Sequence, residues 1–262
     1  ALLTMGVFIY NSEAGIAWNK GLYWLLMIAG FFLVWNVYPK DFKAKKWLPV
    51  AGVAILACLA VTYRSPEGGL FRAGWWGILG QIGWMYLFTA CAYLLCRRRQ
   101  WILAVVWAAL CFVNLSVVPM RSGTAWIGKT ILFDVSDALH LGDGHAAIMA
   151  LGGAITVLAE KRLRSAKLGI GLAAASILAI LATAAHQDWI ISKNLGTLPW
   201  CLYVSAISVA LYTLLRALEA KGWTAWAKPL GPAGTATLTV YMIPYFFYSF
   251  WVFLNPTIPA WV

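Results

Sequence analysis

Apolar stretches of bilayer-crossing length recur along the chain, each cut off by a short polar break. They fall at 1–10, 21–38, 47–63, 75–96, 101–118, 145–159, 168–185, 200–218 and 235–254. A hydrocarbon core takes about 20 predominantly apolar residues per helix, so the pattern predicts an all-α, polytopic transmembrane helix bundle of about nine membrane helices, the first truncated. The opening ALLTMGVFIY begins with neither Met nor a basic leader followed by a cleavage site. It therefore reads as the end of a helix rather than a signal peptide, and the chain as a fragment. No internal repeat or inverted half-to-half symmetry of the transporter kind stands out.

Composition narrows the class. Of 262 residues, 62% are hydrophobic and 11% charged, against roughly 45–50% and about 25% in soluble domains. A cytosolic enzyme or water-soluble binding module is excluded, as is a disordered chain. The five cysteines, Cys58, Cys91, Cys96, Cys111 and Cys201, all sit inside or at the ends of apolar runs, where a thiol packs as a small hydrophobe.

Charge then orients the bundle. The loops at 39–46, 97–100, 160–167 and 216–230 hold 14 of the 20 basic residues and 3 of the 9 acidic ones. The remaining loops balance at zero. Lys and Arg collect in cytoplasmic loops, so the basic face is predicted to be cytoplasmic and the alternate loops to face outward. That one-sided pattern reads as a topology signal rather than a nucleic-acid site. Trp47, Tyr63, Trp75, Trp101, Trp200 and Trp261 stand at run ends, where amphipathic rings anchor at the interface.

The predicted outer loops are longer and hold every His. The longest, 119–144, runs into His145 and brings Asp134, Asp137, His140, Asp143 and His145 within a dozen residues. A metal site is one reading, but the spacing H-x-x-D-x-H matches no zinc template, and no metal is predicted. Acid–base chemistry is the other. An imidazole can take a proton from an attacking amine or hydroxyl while a nearby carboxylate fixes its tautomer. His145 is the candidate base or proton shuttle, Asp143 its orienter and His140 a neighbour, although Leu-Gly-Asp-Gly is also a turn with Asp143 as N-cap.

Further polar positions lie near or within the runs. Lys193 and Asn194 sit close to the predicted outer surface and could hydrogen-bond a sugar, a carboxylate or a thioester carbonyl. Gly74, Gly77, Gly80 and Gly83 recur three apart, a smooth ridge for close helix approach. Gln81, with Trp84 on nearly the same face, must find a partner or line a cavity at membrane depth. Tyr241, Tyr245 and Tyr248 share one helix face around Pro244, a candidate polar wall with a predicted kink.

WWGILGQIGWMYLF, HLGDGHAAIMALGG, ISKNLGTLPW and KPLGPAGTATLTVYMIPYFFYS resemble the bacterial relatives of heparan-alpha-glucosaminide N-acetyltransferase. LLTMGVFIYNSE and LLMIAGFFLVWNVYP extend the likeness over most of the chain. The resemblance to the characterised transferase rests mainly on Lys193–Leu195 and the helix order. It implies a single transmembrane acyltransferase-like domain over 1–262, incomplete at both ends and lacking the first two helices and the last. The implied activity moves an acetyl group from cytoplasmic acetyl-CoA to an amino sugar on the outer side of a bacterial inner membrane. The family's catalytic His and its D-x-L-R-G type motif precede the third helix and have no counterpart here, so His145 stands on its chemistry alone.

Such an activity would place CoA phosphates near Arg97, Arg98, Arg99 and Arg162, with Lys161 and Arg164 beside them. Lys193, Asn194, Gln81, Trp84 and Tyr241 become candidate substrate contacts. The expected partners are the lipid bilayer and the amino-sugar acceptor, without nucleic acid, and a homo-oligomer is open. Two rivals share the helix pattern: an O-acyltransferase of a cell-envelope polymer, and a membrane transporter of sugars or peptidoglycan fragments.

Overall fold

The structure is a computed structural model, and it describes residues 1–72, 78–96, 99, 101–118, 120–123, 168–193 and 195–254. Those residues form helices α1 (Leu2–Glu13), α2 (Lys20–Trp35), α3 (Trp47–Thr62), α4 (Ile78–Leu95), α5 (Trp101–Val117), α6 (Leu168–His186), α7 (Leu198–Ala220), α8 (Gly231–Thr235) and α9 (Thr237–Leu254). Short 3-10 turns at Lys43–Lys46 and Ala225–Leu230 precede α3 and α8. There is no strand among the described residues. Eight of the nine predicted runs coincide with a helix, and the run at 145–159 lies outside the described residues. Among the described residues, five helical stretches are long and apolar enough to cross a membrane: Lys43–Thr62, Ile78–Leu95, Leu168–His186, Leu198–Ala220 and Thr237–Leu254.

Local chemistry sets the helix ends. The Asn19 side chain accepts the backbone N–H of Leu22 at 2.9 Å and caps α2, satisfying one of the donors a helix start leaves open. The helix stops at Trp35 because Asn36 turns extended, and Pro39 disfavours helical backbone at Tyr38 before it. Pro49 and Pro199 stand in the first turns of α3 and α7, where a missing N–H costs nothing. Pro244 is accommodated inside a continuous α9.

The chain divides into two compact units. Unit 1 comprises Ala1–Gly83 and Ala227–Val262, and unit 2 comprises Trp84–Trp226. In unit 1, α2 packs on α3 and α9 around Met27, Phe31, Leu56, Leu59, Leu79 and Met242, with Phe8 and Ile9 from α1. Glycines make the approach close: a Cβ on Gly52 would stand 2.9 Å from the Gly30 carbonyl and 2.8 Å from the Leu33 Cβ. The predicted glycine ridge carries the same role at Gly80 and Gly83, which lie against Gly6 and Leu3 of α1, as small residues do between membrane helices. Gly74 and Gly77 are outside the described residues.

Tyr63 departs from the interfacial role expected of it. It is 2% exposed, and its hydroxyl is shared between the carbonyls of Asn11 at 3.1 Å and Gly15 at 2.9 Å. The inward ring supplies a donor to these carbonyls close to the end of α1, where a helix leaves its last carbonyls open. Trp47 and Trp101, at the starts of α3 and α5, are 73% and 63% exposed.

In unit 2, α6 and α7 form the most extensive helix pair, with Ala182, Leu198, Cys201 and Leu202 buried between them and α5 contributing Trp107, Leu110 and Cys111. Gly171 lies directly against Thr213. The outward faces of both units are apolar, with Val61, Leu95, Ile180 and Ile207 all well exposed. An apolar surface of that extent is stable against lipid tails and not against water. All five cysteines are free thiols.

Candidate functional site

The predicted site residues divide between the described parts of the chain and the rest. His145, Asp143, His140, Asn194, Arg97, Arg98 and Arg162 lie outside the described residues, as do Lys161 and Arg164. Gln81 falls within α4, but its side chain is outside the description. Trp84 is on α4 and exposed. Arg99 is exposed in the tight connection from α4 to α5, where its N–H donates to Cys96 O at 2.8 Å and its carbonyl accepts from Ile102 N at 3.0 Å.

Lys193 sits at one end of unit 2 on a strongly braced turn. The Thr197 N–H donates to Ser192 O at 3.1 Å, and the Ser192 N–H donates to the Thr197 hydroxyl at 3.0 Å. Gly196, at φ +55°, closes the turn with its N–H on Lys193 O at 3.1 Å, a left-handed conformation that suits glycine. The amide of Asn114, buried in α5, donates to the Gly196 carbonyl at 3.0 Å. This bracing leaves the Lys193 side chain exposed.

At the same end of unit 2, α6 delivers His186. Its Nδ1 lies 3.1 Å from the Trp189 carbonyl, and Arg121 Nη2 lies 3.0 Å from Nε2 and 3.1 Å from Nδ1. A carbonyl only accepts and a guanidinium only donates, so the tautomer with its proton on Nδ1 satisfies both partners, the Nε2 lone pair then being taken up by Arg121. The loop carrying Arg121 is pinned by its N–H on Asp188 O at 2.8 Å, and the Trp189 indole donates to Val118 O at 2.9 Å. The arrangement is an oriented imidazole acceptor with two cations on the same group of loops.

Sequence reasoning named Lys193 but passed over His186, Arg121 and Asn114. The signals were present. His186 opens the HQDW segment, and Asn114 is a lone amide inside an apolar run, where a polar side chain must find a partner. Arg121 carried no pattern that separates it from an ordinary loop cation.

Unit 1 places Tyr241 and its neighbours along α9. Tyr241, Tyr245 and Tyr248 pack ring against ring, with centroids 6.1 Å and 6.3 Å apart. The Tyr245 hydroxyl donates to Glu13 Oε1 at 3.3 Å. Trp24 lies 6.2 Å from Tyr245, and the Lys20 ammonium stands 4.8 Å above the Trp24 ring. Partial burial holds the Lys20 ammonium below its ordinary pKa, and the Glu13 charge offsets part of that. The expected polar wall is thus an aromatic strip with one acidic partner at its end.

Fold and site together define an all-helical protein with several membrane-spanning helices and polar chemistry gathered on the loops at the helix ends. No protein-family profile matches the chain, and neither a curated protein nor a solved structure matches it.

Proposed function

We propose that the chain is the membrane-embedded part of an acyltransferase that moves an acetyl group from cytoplasmic acetyl-CoA to an amino sugar on the outer side of a bacterial inner membrane. The observation that carries this reading is the oriented His186 imidazole beside Arg121, on the same end of unit 2 as the exposed Lys193. Transfer to an amine forms a C–N bond and breaks the thioester C–S bond. The amine loses one proton and the departing thiolate gains one. His186 Nε2 is suited to accept the first proton once Arg121 moves off it, and the released guanidinium then stabilises the oxyanion that develops on the carbonyl. The resemblance of ISKNLGTLPW to the transferase family brings the same turn into the reading. His145, with Asp143 and His140, is the second candidate base.

On this reading the basic loops face the cytoplasm, and Arg97, Arg98, Arg99 and Arg162 meet the CoA phosphates. The described spans α3, α4, α6 and α9 contain no acidic or basic side chain between their ends, which favours transfer over ion-coupled transport. Sealed vesicles carrying the protein, given radiolabelled acetyl-CoA on the cytoplasmic side and glucosamine on the other, test the proposal. Label on the sugar nitrogen supports it. Label on oxygen would point to an envelope O-acyltransferase, and unmodified sugar crossing the bilayer to a transporter. Comparing His186→Ala with His145→Ala then assigns the base, with a fall of two to four orders of magnitude, about the worth of general base catalysis, at the correct one.

A further inference from the structure

We infer that the loop end of unit 1 holds a binding site for a small zwitterion, a primary ammonium joined to a phosphate or carboxylate. The α3–α4 connection and the end of α1 enclose an open bowl of about 430 Å³, with Tyr63, Ser65, Glu67, Leu70 and Arg72 among its walls. That volume lies in the range of small-molecule sites.

The bowl is built rather than casual. Asn11, 1% exposed, grips the backbone of Arg72 from both sides, its amide donating to Arg72 O at 2.7 Å and its Oδ1 accepting the Arg72 N–H at 3.2 Å. The opposite wall is locked by a turn in which Ser65 N donates to Gly69 O at 2.9 Å and Gly69 N donates to the Ser65 hydroxyl at 2.8 Å. Tyr63 ties the floor to the end of α1 through Asn11 and Gly15. The backbone that carries Glu67 and Arg72 is thus fixed before a ligand arrives, which lowers part of the ordering cost of binding, while the two exposed side chains order on the ligand.

Charge selects the ligand class. Glu67 and Arg72 line one cavity with opposite signs, the Arg72 guanidinium lying 5.8 Å over the Tyr10 ring, and the ion pair found among the described residues is Arg216 with Glu219 and not these two. A purely anionic ligand would satisfy Arg72 and meet the Glu67 carboxylate unfavourably, and a purely cationic one the reverse. A molecule with both charges satisfies both walls: the guanidinium fork matches an oxyanion, and the carboxylate matches an ammonium. Such a group occurs free in solution or as the headgroup of an ethanolamine phospholipid. The exposed Leu70 on the rim and the position of the bowl at the end of a membrane span are compatible with either source. The inference is independent of acyl transfer.

The test uses the purified chain in detergent with calorimetry against phosphoethanolamine, ethanolamine and inorganic phosphate. Phosphoethanolamine is expected to bind at least ten-fold tighter than either half. Glu67→Gln should weaken phosphoethanolamine roughly ten-fold, the size of one charge-assisted contact, while leaving phosphate unchanged or improved. Arg72→Gln, whose backbone bonds to Asn11 persist, should weaken both. Unchanged thermal unfolding in the two variants confirms that the frame is intact. In nanodiscs, native mass spectrometry should show phosphatidylethanolamine retained over phosphatidylglycerol if the lipid is the source, and no preference if the free zwitterion is. Equal affinity for phosphate and phosphoethanolamine, or affinities untouched by both substitutions, overturns the inference.

Discussion

The side-chain amide of Asn114 donates to the main-chain carbonyl of Gly196 at 3.0 Å across 82 positions of sequence. This single bond ties the last turn of one apolar helix to the turn that displays Lys193. Both groups are buried, so neither finds water when the other is removed. Asn114→Leu takes the amide donor from the buried Gly196 carbonyl, which keeps the Cys201 thiol at 4.0 Å, and it also removes the Asn114 Oδ1, which is buried without a partner. It is therefore expected to destabilise unit 2 by about 1 kcal/mol and to loosen the turn. A cysteine at position 193 should then react faster with a membrane-impermeant maleimide when combined with Asn114→Leu than in the otherwise unaltered chain. Equal labelling rates and equal unfolding temperatures would show that the other bonds of the turn suffice.

The Gly171–Thr213 contact predicts a size exchange. A Cβ on Gly171 would overlap the Thr213 side chain, whose hydroxyl is fixed on Val209 O at 2.7 Å and cannot rotate away without losing that bond. Gly171→Ala should therefore cost about 1–3 kcal/mol by overpacking. Adding Thr213→Ala removes the overlapping γ atoms and should recover roughly half of the loss or more, a non-additive outcome expected only of residues in contact. Unfolding in graded denaturing detergent for the two singles and the double measures the coupling.

Tyr63→Phe isolates the hydroxyl that closes the end of α1. The ring remains to fill its place beside Phe71 and Tyr23, while the Asn11 and Gly15 carbonyls lose their shared donor. The expected cost is about 1–3 kcal/mol, seen as a lower unfolding temperature with unchanged helix content by circular dichroism. A Phe variant as stable as the parent would mean that water reaches both carbonyls.

The bundle was legible in the sequence because lipid imposes one long-range rule on every span, an apolar run of fixed length, and that rule survives without knowledge of neighbours. Gly80 and Gly83 were legible as a contact surface for the same reason, since only packing explains recurring small residues inside a span. Tyr63 was not, because an aromatic at a span end has the same local pattern whether it faces the interface or turns inward to meet Asn11. His186 with Arg121 was hidden by distance along the chain: the pair is 65 residues apart, and nothing near Arg121 announces its partner. The pairing of Glu13 with Tyr245, 232 residues apart, is likewise a consequence of helix packing and not of any motif.

The Lys20 ammonium predicts a pH dependence whose sign is fixed by its surroundings. It stands before the apolar run of α2, over the Trp24 ring, with its pKa lowered by burial and partly restored by Glu13. Between its folded pKa and the higher value of the unfolded chain, the unfolded state binds more protons. Stability must therefore rise with pH across that interval. Below it the buried charge weighs against folding in full, and above it that penalty is gone. Lys20→Met should remove the alkaline rise. Glu13→Gln removes the attraction that holds the proton on, so the folded value drops further and the rise begins at lower pH. Denaturant midpoints for the three proteins from neutral to alkaline pH check both effects. A parent whose stability is flat or falls over that range while the Met variant behaves identically would show that Lys20 stays solvated at the helix start.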